Sequence, residues 1–165
     1  MFFIDTHIHI DGEEFDEDRT EVIARAKGAG ATAILVPAVD EPSVDRILKV
    51  CHEFPLPGGV FHCFTGNIQE ARQLLEFDGF ALGIGGVLTF KKSHLPEVVA
   101  DIPIQRIVLE TDAPYMAPVP MRGKRNESSF IPFVINRLAQ SYNISPEKVA
   151  DQTTDNVRRI FAKLR

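Results

Sequence analysis

The chain has 165 residues, 44% of them hydrophobic and 25% charged, with a formal net charge of −5. That is ordinary for one globular domain with a substantial core, and it excludes a general polyanion binder: contact with phosphates has to be local. Two cysteines, Cys51 and Cys63, without CxxC or zinc-finger spacing exclude a disulfide scaffold and suit a reducing cytoplasm. No apolar run reaches membrane-spanning length, and the acidic N-terminus lacks the basic region of a signal peptide.

In chain order, Phe2 to Ile10 reads as a buried strand. Asp16 to Lys27 is an amphipathic helix carrying Val22, Ile23 and Ala26, and Gly28 to Ala31 close it. A second apolar strand covers 31–39, and a helix over 44–54 stops at Pro55 and Pro57. The third strand spans 58–64, a helix 68–77, the fourth strand 80–88, a short helix the LPEVVADI stretch, and the fifth strand 106–112. After a Pro- and Arg-rich loop, helices are expected around FIPFVINRLAQSY, SPEKVADQ and TDNVRRIFAKL.

This alternation predicts an α/β fold of about five parallel strands joined by right-handed crossovers, and continuous apolar strands are those that helices cover on both sides. Active sites of such folds lie at the C-terminal strand ends. Ionisable residues interrupt the strands at those ends: His7 and His9 after the first, His62 after the third, Glu110 and Asp112 after the fifth. His7 and His9 are two apart and share a strand face. Taken singly, His62 also suits a core histidine and Asp112 a turn before Ala113-Pro114. Three histidines and an aspartate at one end of successive strands suit a catalytic metal with an open position for water. His52 and His94 read as non-functional helix-edge residues. The only concentrated basic run, Arg122, Lys124 and Arg125, follows the Asp112 strand, where it would reach phosphate oxygens. Thr65-Gly66 would add a hydroxyl and a close backbone approach. GIGG at 83–86 reads as close packing or a tight strand exit, since it lacks GxGxxG.

FIDTHIHID, HCFTGN, LGIGGVLTF, IVLETDAPY, RGKRNE and TTDNVRRIF, in this order, resemble the TatD family of metal-dependent hydrolases. The resemblance implies a TIM-barrel-like (β/α) fold, a two-metal site and deoxyribonuclease activity. By it, His7, His9 and Asp112 match the ligands of one metal, Asp112 also positioning the attacking water, and His62 matches a ligand of the second. A (β/α)₈ barrel takes ~250 residues, so this single domain, 1–165, would be an incomplete barrel lacking central βα units between about residues 55 and 58. The family's bridging glutamate and a further histidine go with them. The resemblance then implies one divalent ion (Zn, Mn or Mg), with the ligands of a second incomplete, and DNA or another phosphodiester as partner. A strand edge left open invites self-association. The alternatives are a truncated homologue that keeps at most one metal without catalysis, and a mononuclear amide or ester hydrolase, against which the basic loop argues.

Overall fold

The structure, a computed structural model, describes residues 2–8, 13–34 and 59–161. The expected helix over 44–54, the second half of the 31–39 strand, His9, His52 and the proposed junction near 55–58 lie outside the described residues.

Among the described residues there are five short parallel strands: β1 (Phe3–Asp5), β2 (Ala31–Ile34), β3 (Gly59–Phe61), β4 (Phe80–Ile84) and β5 (Ile107–Leu109). β1 pairs with β2, opposing Ile4 to Ala33, while β4 lies between β3 and β5, opposing Leu82 to Phe61 on one side and Ile107 on the other. The two groups join where β1 and β5 run out. Thr6 N–H donates to the Leu109 carbonyl at 3.0 Å, Asp112 N–H donates to the His7 carbonyl at 2.8 Å, and Ile8 bridges Ala113 in parallel. The lateral order is therefore β2-β1-β5-β4-β3, with every strand pointing the same way. Whatever follows the strands emerges on one rim.

The strands are shorter than expected, and polar side chains supplement or replace the backbone bonds at their ends. Past Asp5, the Thr6 hydroxyl donates to the Leu109 carbonyl at 2.9 Å, and past Leu109, Thr111 N–H donates to Asp5. β4 stops at Ile84, where Gly85 leads into a 3-10 turn over Gly86–Thr89. That is the tight strand exit, one of the two roles that GIGG suggests.

The helices among the described residues are α1 (Arg19–Ala29), α2 (Ile68–Leu74), α3 (Leu95–Ala100), α4 (Ile131–Tyr142) and α5 (Pro146–Ile160). α1 begins three residues later than expected, after a 3-10 turn that buries Phe15 against Ile8, Val22 and Ala113. It ends on Gly30 at φ +109°, a left-handed cap that glycine takes without cost. α2 begins in a capping box, Asn67 accepting from the Gln69 and Glu70 amides while Glu70 accepts from Asn67 N–H.

The expected pair of helices at SPEKVADQ and TDNVRRIFAKL is a single helix, α5. Thr153 and Thr154 suggest a break, but Thr153 turns its hydroxyl back onto the Val149 and Ala150 carbonyls, at 2.9 and 3.2 Å, and the helix continues. α5 packs on β1 and β5. Its buried Asn156 donates to the Ile104 and Ile107 carbonyls, fixing the start of β5. α4 and the segments around β3–β5 enclose the main core, with Leu82, Ile84, Leu88, Ile107, Ile131 and Leu138 among its fully buried members.

Candidate metal centre

His7 is carried two residues past β1, His62 one residue past β3 and Asp112 three residues past β5. Because these strands are parallel, the three side chains converge. One donor atom from each lies within 4.8 Å of the others. His7 Nε2 stands 3.4 Å from Asp112 Oδ1, and the imidazoles of His7 and His62 stack with centroids 4.2 Å apart and 7° between planes. Tetrahedral coordination with bonds of about 2.0–2.1 Å places its donors roughly 3.3–3.4 Å apart, so the His7–Asp112 edge already has the spacing an ion requires. Two imidazoles and a carboxylate are a donor set that zinc and manganese accept. His62 is exposed, which excludes the core-histidine alternative; His7 is buried.

The backbone at these corners is specialised. Asp112 takes φ +55° and Cys63 takes φ +49°. The left-handed region is several-fold enriched in Asp and Asn. Cys63 is held there by the Glu110 carboxylate, which accepts from its N–H. Burial first, then the charges of Asp112 and Glu110, push the Cys63 thiol up to about 12, so it remains a thiol.

Beneath the rim lie two buried acids. Asp5 is fully buried and accepts from His7 N–H (3.1 Å), Thr111 N–H (3.1 Å), the Thr111 hydroxyl (2.7 Å) and the Ser128 hydroxyl (2.7 Å). It ties the ends of β1 and β5 and the segment leading into α4 to one carboxylate. Sequence reading placed Asp5 in a strand without a role; the available signal was an acid inside the apolar run FFID. Glu110 is fully buried beside Gly83, and its Oε2 has no hydrogen-bond partner among the described residues.

Burial raises Asp5 to about 6, against its hydrogen bonds, and raises Glu110 to about 8, with Asp112 and Asp5 adding to the effect. Both acids hold a proton more tightly folded than unfolded. Between about pH 4 and pH 8 the folded state therefore binds more protons, and stability falls as pH rises. We expect the urea midpoint of chelator-treated protein to decline over that window. Glu110→Gln, which keeps a carbonyl oxygen for Cys63 N–H, is expected to flatten the decline and stabilise at pH 8 by on the order of 1–3 kcal/mol.

The basic loop is not brought together as one patch. Arg122 lies over the Phe90 ring, 3.9 Å from its centroid. Lys124 is exposed. Arg125 is committed elsewhere: it donates to Asp18 at 2.6 Å and to the Glu14 carbonyl at 2.5 Å, and lies over Phe15. Arg25 of α1 bonds both Asp18 and Glu127, so Arg125 and Glu127 clamp the loop onto α1. Thr65 is exposed and lines the small cavity that also touches Asp112 and Glu110. Buried Asn126, missed by sequence reading, donates to the Thr111 and Tyr115 carbonyls and fixes the loop just past Asp112.

The chain is 43% identical over 105 residues to the uncharacterized metal-dependent hydrolase YabD of Bacillus subtilis, a match covering 63% of this chain and 41% of that protein. It is 41% identical over 113 residues to the 3'-5' ssDNA/RNA exonuclease TatD of a Rahnella strain, covering 65% and 43%. The chain thus spans about two fifths of the length of the curated relatives it matches. Among solved structures, the TatD homologue YJJV of Escherichia coli superposes with a TM-score of 0.79 at 19% identity, covering 96% of this chain and 97% of that one. A TatD-family hydrolase of Entamoeba histolytica gives 0.72 at 16% identity, over 97% and 98%. The fold is thus TIM-barrel-like, with the barrel incompletely covered by the described strands. No helix among the described residues is long and apolar enough to cross a membrane. The model of the TatD related DNase family matches residues 4–57 and 53–162, and the chain belongs to that family.

Proposed function

We propose that the chain is a metal-dependent hydrolase of phosphodiester bonds in DNA, working at the His7–His62–Asp112 rim. The observation that carries this reading is the convergence of two imidazoles and a carboxylate from three separate strand ends. A divalent ion held there supplies Lewis acidity toward a phosphoryl oxygen and lowers the pKa of a water it binds. The protein's own groups do the rest. His7 and His62 present ring nitrogens, and His9, two residues after His7, is assigned to the same set. Asp112 orients the attacking water by accepting its hydrogen bond. Asp5 and Glu110 hold the corners that carry these groups. Thr65, Arg122 and Lys124 are the groups we assign to the substrate's phosphates. Arg125, also expected at the substrate, acts through the loop that it fastens to α1.

The 3'-5' ssDNA/RNA exonuclease among the relatives supports a nucleic-acid substrate. The free thiol of Cys63 suits a reducing compartment such as the cytoplasm. Self-association through an open strand edge is part of the same reading. The competing reading, a scaffold that keeps an ion and does not cleave, is favoured by the division of the family match into two stretches, 4–57 and 53–162.

The test is metal content per chain after loading with zinc or manganese, with light scattering on the same sample to read its oligomeric state. One ion per chain, lost in His62→Ala, is the expected result, together with oligonucleotide cleavage that stops in chelator. An ion without cleavage establishes the scaffold reading. No ion refutes both.

A further inference from the structure

β3, which leads to His62, and β5, which leads to Asp112, are not neighbours, because β4 lies between them. His7 and Asp112 are tied through the paired ends of β1 and β5. The backbone of the His62 corner is tied to β4 instead, Phe64 N–H donating to the Gly83 carbonyl at 3.0 Å. What reaches across β4 is Cys63. Its N–H donates to the Glu110 carboxylate and its thiol to the Asp112 carboxylate. Glycine leaves room for the crossing: the Glu110 carboxylate occupies the place of a Cβ on Gly83, and a Cβ on Gly85 would stand 3.1 Å from the Glu110 carbonyl oxygen.

Cys63 is half-buried and lines a small cavity together with Glu110, Thr111, Asp112 and Met116. Among the described residues the converging donors are His7, His62 and Asp112, and the Cys63 sulfur is not one of them. A half-buried thiol between two acids keeps its proton, so it has a hydrogen to give. S–H is a weak donor, and a carboxylate is the acceptor that strengthens it, because charge-assisted hydrogen bonds are roughly twice as strong as neutral ones. Cysteine at φ +49° is also strained, and such a backbone persists only where its surroundings hold it. Here the Glu110 carboxylate does so, and the strain aims the thiol at Asp112.

We propose that Cys63 is a positioning residue of the rim: it spans β4 and, by donating its thiol hydrogen to the Asp112 carboxylate, holds that carboxylate facing His7 and His62. Its effect on a bound ion rests on the hydrolase reading above; the hydrogen bond does not. Partners that orient the ligands of a metal typically contribute about 10–100-fold to its affinity.

The first measurement is the infrared S–H stretch of chelator-treated protein, with the Cys63 band isolated by subtracting the Cys63→Ser spectrum. The band is expected below the frequency of a free thiol and is expected to move back up in Asp112→Asn. The second is manganese affinity, read by competition with a coloured chelator, since manganese prefers oxygen ligands to sulfur. Cys63→Ala keeps the N–H that Glu110 accepts and is expected to weaken binding about tenfold. Cys63→Ser restores a donor and is expected to bind as the wild type does. Thermal unfolding in chelator checks the fold of each variant. A band that stays put in Asp112→Asn overturns the proposal, and so does a Cys63→Ala variant that binds manganese like the wild type. Equal losses in Cys63→Ala and Cys63→Ser would make the sulfur itself a ligand and overturn it as well. If the wild type binds no manganese, the hydrolase reading falls and the infrared result alone decides the role of Cys63.

Discussion

Asp112→Asn is expected to leave the protein folded and to reduce metal-dependent cleavage by at least about 10²–10³-fold, the equivalent of losing several kcal/mol of charge stabilisation. Asparagine suits this test because the backbone at 112 sits at φ +55°. Asn adopts that region as readily as Asp, whereas most replacements would add strain. The amide that donates to the His7 carbonyl at 2.8 Å is kept as well, so the β1–β5 junction survives. What changes is the charge facing His7 Nε2 across 3.4 Å. The comparison is between metal content and initial cleavage rate, with thermal unfolding as the fold check. An Asp112→Asn variant that cleaves at the wild-type rate would remove Asp112 from the chemistry. One that unfolds would show that the carboxylate charge holds the junction instead.

Much of this site is legible in the sequence because chemistry and packing pull in opposite directions there. A parallel strand covered by helices has no reason to carry an imidazole or a carboxylate, so His7, His62 and Asp112 stand out against apolar runs. The parallel alternation then puts them on one rim. Asp5 carries the same signal, yet its work is visible only in three dimensions: its four hydrogen-bond donors come from residues 7, 111 and 128. Arg125 shows the opposite failure. As a cation in a basic loop it looks free for substrate, but the loop folds back on α1 and spends it on Asp18. The Asp18 that claims it marks the N-terminus of α1 and makes no side-chain cap there. Local pattern names helix starts and strand ends; it does not say which of two distant charges a side chain will meet.

The glycines give the sharpest stability contrast. Gly86 is buried at the start of the 3-10 turn after β4, and a Cβ built on it would stand 1.9 Å from the Met116 carbonyl oxygen and 3.0 Å from Pro118 N. Both obstacles are backbone, so no rotamer change relieves them. Gly86→Ala must push away the loop that leaves Asp112, a loop held from its other end by Asn126 and the Glu127–Arg25 ion pair. We expect a loss of about 3 kcal/mol or more, at the upper end of overpacking costs, and a melting temperature lower by roughly 6–12 °C for a chain of this size. Gly28→Ala is the counterpart. Position 28 lies in α1 with nothing within 4 Å of its would-be Cβ, so the same substitution should stabilise by up to ~1 kcal/mol through helix propensity alone. Calorimetry on the two variants reads opposite signs if the loop after Asp112 rests directly on the β4 exit. A mild Gly86→Ala would instead mean that the loop, and Arg122 with it, sits away from the β4 exit.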